Sequence, residues 1–284
     1  MTEPAEFATF WQGPFPAMAH ACLASFPAFG ARLRLYSYDI RIEAPPGVEV
    51  ADARGICPDV SLPGRYFAGG KPSLATFSDR FRYELLRQTD CCWVDADILC
   101  LRKPDFGGEP VVWGRQAEAH GKALINNAVM KLPRDHPVLI DMLARARAAV
   151  DVDLSWGAIG PFLLTDVAEA HGVYASARQP EAFFPIAPDD FWRPLLPRWR
   201  ESVETAVASS TLLHLWSELL RRRGYDLDVG PPEGSYLYAA FERLGALDRF
   251  ARIYDESELV ELLASGAEPA QAAAIRGDRN GSVT

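Results

Sequence analysis

No stretch of the chain approaches the ~18 consecutive apolar residues of a membrane-spanning helix. The N-terminus MTEPAEFATFW has neither the basic opening nor the long apolar core of an export signal. Both absences predict a soluble, cytoplasmic protein without a transmembrane segment. The glycine-rich phosphate loops of dinucleotide-binding and P-loop folds are also missing, so any bound phosphate must be held by something other than a glycine cradle. Cysteine is scarce: there are five, an odd number, with Cys91 and Cys92 adjacent and none at the paired spacings of a zinc site. That usage excludes a disulfide framework and predicts packed thiols. Positive charge is in deficit, with 29 Lys and Arg against 38 Asp and Glu and a formal net charge of -9, which argues against a nucleic-acid surface. The short basic run Arg221 to Arg223 reads as a helix end.

What is present suits one large α/β domain. The chain has 284 residues and 49% hydrophobic content, ample for a core, and no internal repeat. Phe7 to Trp11 reads as a strand, the segment after Gly13 as a helix, Arg32 to Tyr38 as an alternating strand and Val48 to Asp52 as a third. Residues 1–265 are expected to form one domain. Residues 266–284, rich in Ala, Gly and polar side chains, are expected to be a flexible tail.

The stretch Cys91 to Leu101, CCWVDADILCL, carries the first chemistry. Its apolar flanks predict a buried central strand, and Asp95 and Asp97, separated by Ala96, then share one face and can grip one cation or its ligand. Two like charges so placed repel unless a divalent ion or hydrogen bonds compensate. Neutralising one of them should therefore leave the metal-free fold equally or more stable. Such a D-x-D triplet in a solvated turn would have no function, but no glycine, proline or asparagine marks a turn here.

The preceding helix is expected from Pro72 to about Thr89. Leu74, Phe77, Phe81 and Leu85 form its buried stripe, and Arg80, Glu84 and Arg87 its polar side. Asp79 and Arg82, three apart, are neighbours on another flank, either as a surface ion pair or as part of a site beside the two aspartates. Further on, Asn126 and Asn127 stand in a strand-like run where asparagine is disfavoured, which predicts a polar contact or a bulge. Gly157, Gly160 and Pro161 mark either a passage kept clear for a substrate or a helix-start turn. His214, taken alone between apolar neighbours, reads as a core residue sooner than as a ligand, and Trp216 reads equally well as core.

The succession FWQGP, CLASF, LYSYD, FSDRFRYELL, WVDADILCL, INNAVMKLPRDHP, WGAIGPFLLT and HLW, from Phe7 to Gly245, resembles the DXD-containing sugar transferases of glycosyltransferase family 32. These include initiating α-mannosyltransferases and capsular-polysaccharide sugar transferases, with α1,4-galactosyltransferases and clostridial glucosylating toxins as distant relatives. The sixteen-residue step from Asp79 to Asp95, with Arg82 between, is its most specific part.

The resemblance implies a GT-A type nucleotide-sugar-binding α/β fold, with a mixed central sheet flanked by helices. It implies a retaining transfer of a hexosyl group from a UDP- or GDP-sugar to a hydroxyl acceptor (glycan, polysaccharide or lipid-linked), with Mn²⁺ or Mg²⁺ as cofactor. Peripheral membrane contact is compatible with such acceptors. Carried over, Asp95 holds ribose and donor-sugar hydroxyls and belongs with Asp97 to the metal site, Asp97 ligates the ion, and Asp79 and Arg82 bind the donor. Trp11 stacks on the base, Asn126 or Asn127 contacts sugar, and His214 and Trp216 close over the diphosphate, His214 as a metal ligand. The family usually has glycines where Cys91 and Cys92 stand and a small polar residue at Ile159. Two alternatives stand beside this: a haloacid-dehalogenase-like phosphohydrolase, although Leu99 occupies the position where those sites want Thr or Val, and a non-catalytic nucleotide-sugar-binding protein.

Overall fold

The computed structural model describes residues 6–106, 108–118 and 122–277. Six strands form a mixed sheet. In chain order they are β1 (Glu6–Phe10), β2 (Arg32–Ser37), β3 (Val48–Asp52), β4 (Cys92–Val94), and then, after a strand outside this sheet, β6 (Val112–Arg115) and β7 (Ile125–Lys131). The order across the sheet is β3-β2-β1-β4-β7-β6. Its first four strands run parallel and the last two pairings are antiparallel. The intervening strand β5 (Ile98–Cys100) leaves the sheet and pairs antiparallel with β8 (Leu212–His214).

Alternation along β1 shows how the sheet divides the interior. Phe7 packs into one buried cluster with Phe26, Leu33 and Val94, while Ala8 and Phe10 face the opposite cluster with Phe77, Phe81 and Trp93. Helix α1 (Ala17–Ala28) covers the first face, and α2 (Leu74–Gln88), α3 (Pro137–Ala148) and α4 (Pro161–Ala170) belong to the second. All five cysteines are buried and unbridged, as their spacing implied.

Helix α2 starts two residues after the proline expected to open it. Ser73 caps it by accepting the Thr76 N–H at 3.2 Å, while Pro72 pairs in an extended segment with Phe67. Phe77, Phe81 and Leu85 are fully buried as their spacing predicts, but Leu74 lies beyond the core and is exposed. The side expected to be polar is covered too. Glu84 is buried against α3, taking Arg147 through both carboxylate oxygens at 2.8 and 2.7 Å and Arg80 at 3.2 Å, and Arg80 donates to the Tyr66 hydroxyl at 2.9 Å. Arg80 is therefore part of the packing, not a neutral surface position.

The far end of the chain also departs from expectation. Residues Pro269–Arg276 form a helix whose Ala272 and Ile275 are buried, so the flexible tail expected from residue 266 does not begin there; residues 278–284 lie outside the described residues. Amphipathic spacing in PAQAAAIR, read as low-complexity tail, is what anchors it. No helix among the described residues is long and apolar enough to cross a membrane.

Candidate active site

Asp95, Ala96 and Asp97 are not one extended strand. β4 ends at Val94 and β5 begins at Ile98, and the three residues between them make a turn in which the Ile98 N–H donates to the Asp95 carbonyl at 3.1 Å. The Asp95 N–H donates to the Ala128 carbonyl at 2.8 Å, fixing the turn to β7. The sequence hides this turn because aspartate, itself a good turn residue, supplies it without help from glycine or proline. The two carboxylates still converge. They are brought together by a chain reversal between two sheets, not by strand periodicity.

One side of the site is built from α2 and β7. Arg82 is 3% exposed and ties three groups together: its guanidinium donates to Asp95 Oδ1 at 2.9 Å and to the Asn127 carbonyl at 2.7 Å, and lies 3.4 Å from Asp79 Oδ1. It also lies over the Trp93 ring, 4.9 Å from its centre, and the Trp93 indole N–H donates to the same Asp95 oxygen at 2.7 Å. Arg82 is thus a buried counter-charge for two carboxylates. The expected i,i+3 pair exists, but in the interior.

The two asparagines separate cleanly. Between Trp113 and Gly114 of β6 the pairing jumps from Met130 to Asn126, so β7 bulges at residues 127–129. Asn127 then points at α2, its amide donating to Asp79 Oδ1 at 2.8 Å and to the Tyr83 hydroxyl at 3.1 Å. Asn126 turns to other partners, its amide donating to Gln116 at 2.9 Å and its side-chain oxygen accepting the Ala128 N–H at 2.8 Å. Gly160 closes this side. A Cβ there would stand 2.9 Å from Asp79 Oδ2, so only glycine lets the turn approach that carboxylate.

The other side is the segment after β8. His214 Nε2 lies 3.3 Å from Asp97 Oδ1, the Ser217 N–H donates to Asp97 Oδ2 at 2.9 Å, and the Leu215 N–H donates to the Asp97 carbonyl at 3.1 Å. Trp216 makes this wrap possible from the left-handed backbone region, φ 54°, which is costly for a bulky residue and marks a position held by its surroundings. Its indole N–H donates to the Ile186 carbonyl at 3.0 Å and its ring lies on His214, centres 4.1 Å apart. Trp216 therefore orients His214. Helix α5 (Ser217–Arg222) starts directly after Trp216.

Trp11 lies beyond the end of β1, half-buried, edge-on to Phe15 at 5.5 Å, with its indole N–H on the Pro14 carbonyl at 2.8 Å. Tyr83, Trp93, Gly160 and Ser217 are the members of the site that residue spacing did not single out as partners of the carboxylates. Tyr83 and Trp93 flank Arg82 and Asp95 in the sequence but read as ordinary core, and Ser217 acts through its backbone.

Electrostatically the site is short of positive charge. Asp79, Asp95 and Asp97 face one fixed cation, Arg82. Burial pushes the Asp79 carboxyl up to about 6 against the opposing pull of Arg82 and the Asn127 hydrogen bond, and nearby Asp95 adds to the rise. Burial also pushes Asp97 upward, but the charge and hydrogen bond of His214 and the donors of Ser217 outweigh it and hold that carboxyl well below the usual range. One ligand atom each from Asp95, Asp97 and His214 lie within 4.8 Å of one another, and the buried His214 Nδ1 has no hydrogen-bond partner among the described residues. Two hard oxygens, an imidazole and uncompensated negative charge fit a divalent cation such as Mg²⁺ or Mn²⁺.

The raised Asp79 carboxyl gives a signed prediction. A folded-state value above the unfolded one means protonation stabilises the fold; that contribution is complete below about pH 4 and is lost as pH rises through about 6. Metal-free Asp79→Asn should accordingly melt above wild type at pH 8, with the gap closing between pH 6 and 4. A gap independent of pH would show that Asp79 is compensated as a carboxylate.

No protein-family model matches the chain, and no curated protein matches it. Among solved structures it is similar to the PaToxG glycosyltransferase, at 12% identity over 96% of this chain and 87% of that one, with a TM-score of 0.39. It is similar also to an active-site mutant of LgtC, at 11% identity over 86% and 95% of the two chains, with a TM-score of 0.41. A third, described as a transferase mutant, covers 60% of this chain and 85% of its own at 8% identity, with a TM-score of 0.35. At such scores the functional reading rests on the chain's own residues.

Proposed function

We infer that the protein is a metal-dependent, retaining GT-A glycosyltransferase that moves a hexosyl group from a UDP- or GDP-sugar to a hydroxyl of a glycan, polysaccharide or lipid-linked acceptor. One observation carries the reading. Residues from four separate elements, Asp79 and Arg82 on α2, Asp95 and Asp97 in the turn, Asn127 on β7 and His214 on β8, converge at the end of β4. Ligands of open α/β sheets bind beyond the carboxyl ends of the parallel strands, which is where the β4 end places them.

In this reading Asp97 and His214 hold the divalent ion, with Asp95 turned toward it and toward the ribose and sugar hydroxyls of the donor. Asp79 and Asn127, joined at 2.8 Å, offer their remaining side-chain oxygens to hydroxyls of the sugar ring, and Arg82 keeps Asp79 and Asp95 side by side despite their like charge. An ion held by Asp97, His214 and Asp95 would supply positive charge against the diphosphate charge that develops as the sugar–phosphate bond breaks. Trp216 and Ser217 fix His214 and Asp97 before substrate arrives, so little reorganisation is left for the reaction itself. For retention, the departing phosphate oxygen takes the proton of the acceptor hydroxyl entering on the same face.

The phosphohydrolase alternative lacks support, since both Arg82 and Trp93 donate to Asp95 and Leu99 is buried in β5 two residues past Asp97. Incubation with UDP- and GDP-sugars tests the proposal: one donor should release its nucleoside diphosphate only with Mn²⁺ or Mg²⁺, and chelation should stop it. Metal-dependent binding with no turnover of any donor would instead make this a binding protein, and phosphate release from simple monoesters a hydrolase.

Trp11 is assigned to the nucleotide base. Trp11→Ala should weaken nucleoside diphosphate binding by about 1–3 kcal/mol, the contribution of one aromatic stack on a base. If Trp11 belonged to the core, the same change would cost about 3–5 kcal/mol of stability instead. Melting temperature and nucleotide affinity, measured on the same variant, separate the two.

A further inference from the structure

Next in sequence to the Gly160 turn of the site stands an aromatic pair that donor binding does not use. Trp156 and Phe162, 54% and 46% exposed, are the two most exposed aromatic side chains among the described residues. Their rings meet edge to face with centres 6.3 Å apart. The turn between them is shaped for this: Gly157 sits at φ +75°, and a Cβ there would be 3.0 Å from the Phe162 ring. The same turn is pinned into the site, because the Tyr83 hydroxyl donates to the Ile159 carbonyl at 2.8 Å and Gly160 packs on Asp79.

The Arg222 guanidinium lies over the Trp156 ring, 5.6 Å from its centre. Arg222 ends α5, the short helix whose first N–H binds Asp97. Trp156 is therefore linked to both sides of the site, to the Asp79 side through the turn that follows it and to the Asp97 side through Arg222 on α5.

The surroundings choose the occupant. An indole face is electron-rich and attracts the positive edge of C–H bonds, and guanidinium N–H groups donate to hydroxyls. A pyranose ring offers both, an apolar C–H face and a rim of hydroxyls. An acyl chain would need a longer apolar track, whereas the pair is bordered by Ser155, Arg222 and the Glu218 that Arg222 contacts at 3.1 Å. An anionic bilayer would be repelled by a chain of formal net charge -9.

We propose that Trp156, backed by Phe162 and flanked by Arg222, is the acceptor subsite and takes a pyranose ring of a saccharide acceptor. The assignment rests on the transferase reading of the carboxylate cluster. The acceptor sugar stacks on the indole and presents its hydroxyl inward past Gly160, where a larger residue would collide with Asp79.

Saturation-transfer NMR on the full chain, with methyl glycosides of glucose, galactose and mannose as probes, tests this. At least one should bind with saturation concentrated on the ring C–H protons of a single face. Its affinity should fall about 3- to 10-fold in Trp156→Ala, the range of one aromatic contact, and less in Trp156→Phe. Ile140→Ala, a change at an exposed apolar position on α3, should leave it unaltered. Melting temperatures confirm that each variant is folded. Three results would overturn the subsite: no methyl glycoside bound by the wild-type protein, equal affinity in Trp156→Ala, or binding of octyl glucoside without methyl glucoside, which would make the occupant an alkyl chain. The donor side is read separately on the wild-type protein, by thermal shift with a nucleoside diphosphate and Mn²⁺. A missing shift breaks the transferase reading, whereas a normal shift with failed glycoside binding breaks the subsite alone.

Discussion

Asp97→Asn is expected to lower metal-dependent donor turnover by at least about 10²–10³-fold, the loss that follows removal of one preorganised partner of a developing charge. Hydrolysis of the donor by water serves as the assay. The variant should remain folded, but it should not gain stability. Like-charge repulsion between Asp95 and Asp97 suggested a fold as stable or more stable without one charge, and the environment of Asp97 reverses that. Although burial alone would raise its carboxyl, His214 and the Ser217 donors hold it well below the usual range, so the folded state favours the carboxylate. A depressed folded value gives stability that is present above the ordinary carboxylate range and lost as pH falls below it. Metal-free Asp97→Asn should thus melt below wild type at neutral pH, and the difference should shrink in acid. Near-normal donor turnover in this variant would leave Asp97 a structural residue and remove the main chemical support for a transferase.

Arg82→Met should have the largest effect on the fold itself. The replacement is close in volume but leaves Asp79 and Asp95 without the cation lying 3.4 and 2.9 Å from them, and leaves the Asn127 carbonyl without its donor. Breaking a buried pair by removing one partner costs about 3–5 kcal/mol. Urea unfolding should show a loss of that size, with turnover reduced as well because the two carboxylates no longer keep their spacing. Lysine is expected to restore only part of the stability, since one ammonium cannot reproduce the guanidinium's forked contacts to Asp95 and Asn127. A loss under about 1 kcal/mol for Arg82→Met would mean that water reaches and screens this pair as at a surface.

Local patterns carried much of this architecture. The alternation in Arg32 to Ser37 and the buried triplet Phe77, Phe81 and Leu85 are properties of single elements, and they were legible from spacing. So was the neighbourhood of Asp79 and Arg82, which needs only the helical repeat. What spacing could not give was anything decided by a distant partner. Glu84 reads as solvated until Arg147, 63 residues away, covers it. The choice between Asn126 and Asn127 depends on a bulge whose cause lies in the pairing of β7 with β6. The turn at Asp95 depends on β5 finding β8 more than a hundred residues later, so a run of apolar residues around two aspartates looked like one strand. Trp216 was visible as a residue but not as a role, because only its left-handed backbone and its bond to Ile186 show that it works through His214.

Thermal melting tests most directly whether Asp97, His214 and a nucleoside diphosphate share one divalent ion. Wild-type protein is melted alone, with Mn²⁺, with UDP or GDP, and with metal and nucleotide together. At about a hundred times its dissociation constant a ligand contributes about 2.7 kcal/mol to stability. The prediction is a shift of that order only when metal and one nucleotide are both present, far above the sum of the separate shifts. Shifts that merely add, or a nucleotide shift that is the same in chelator, would contradict it.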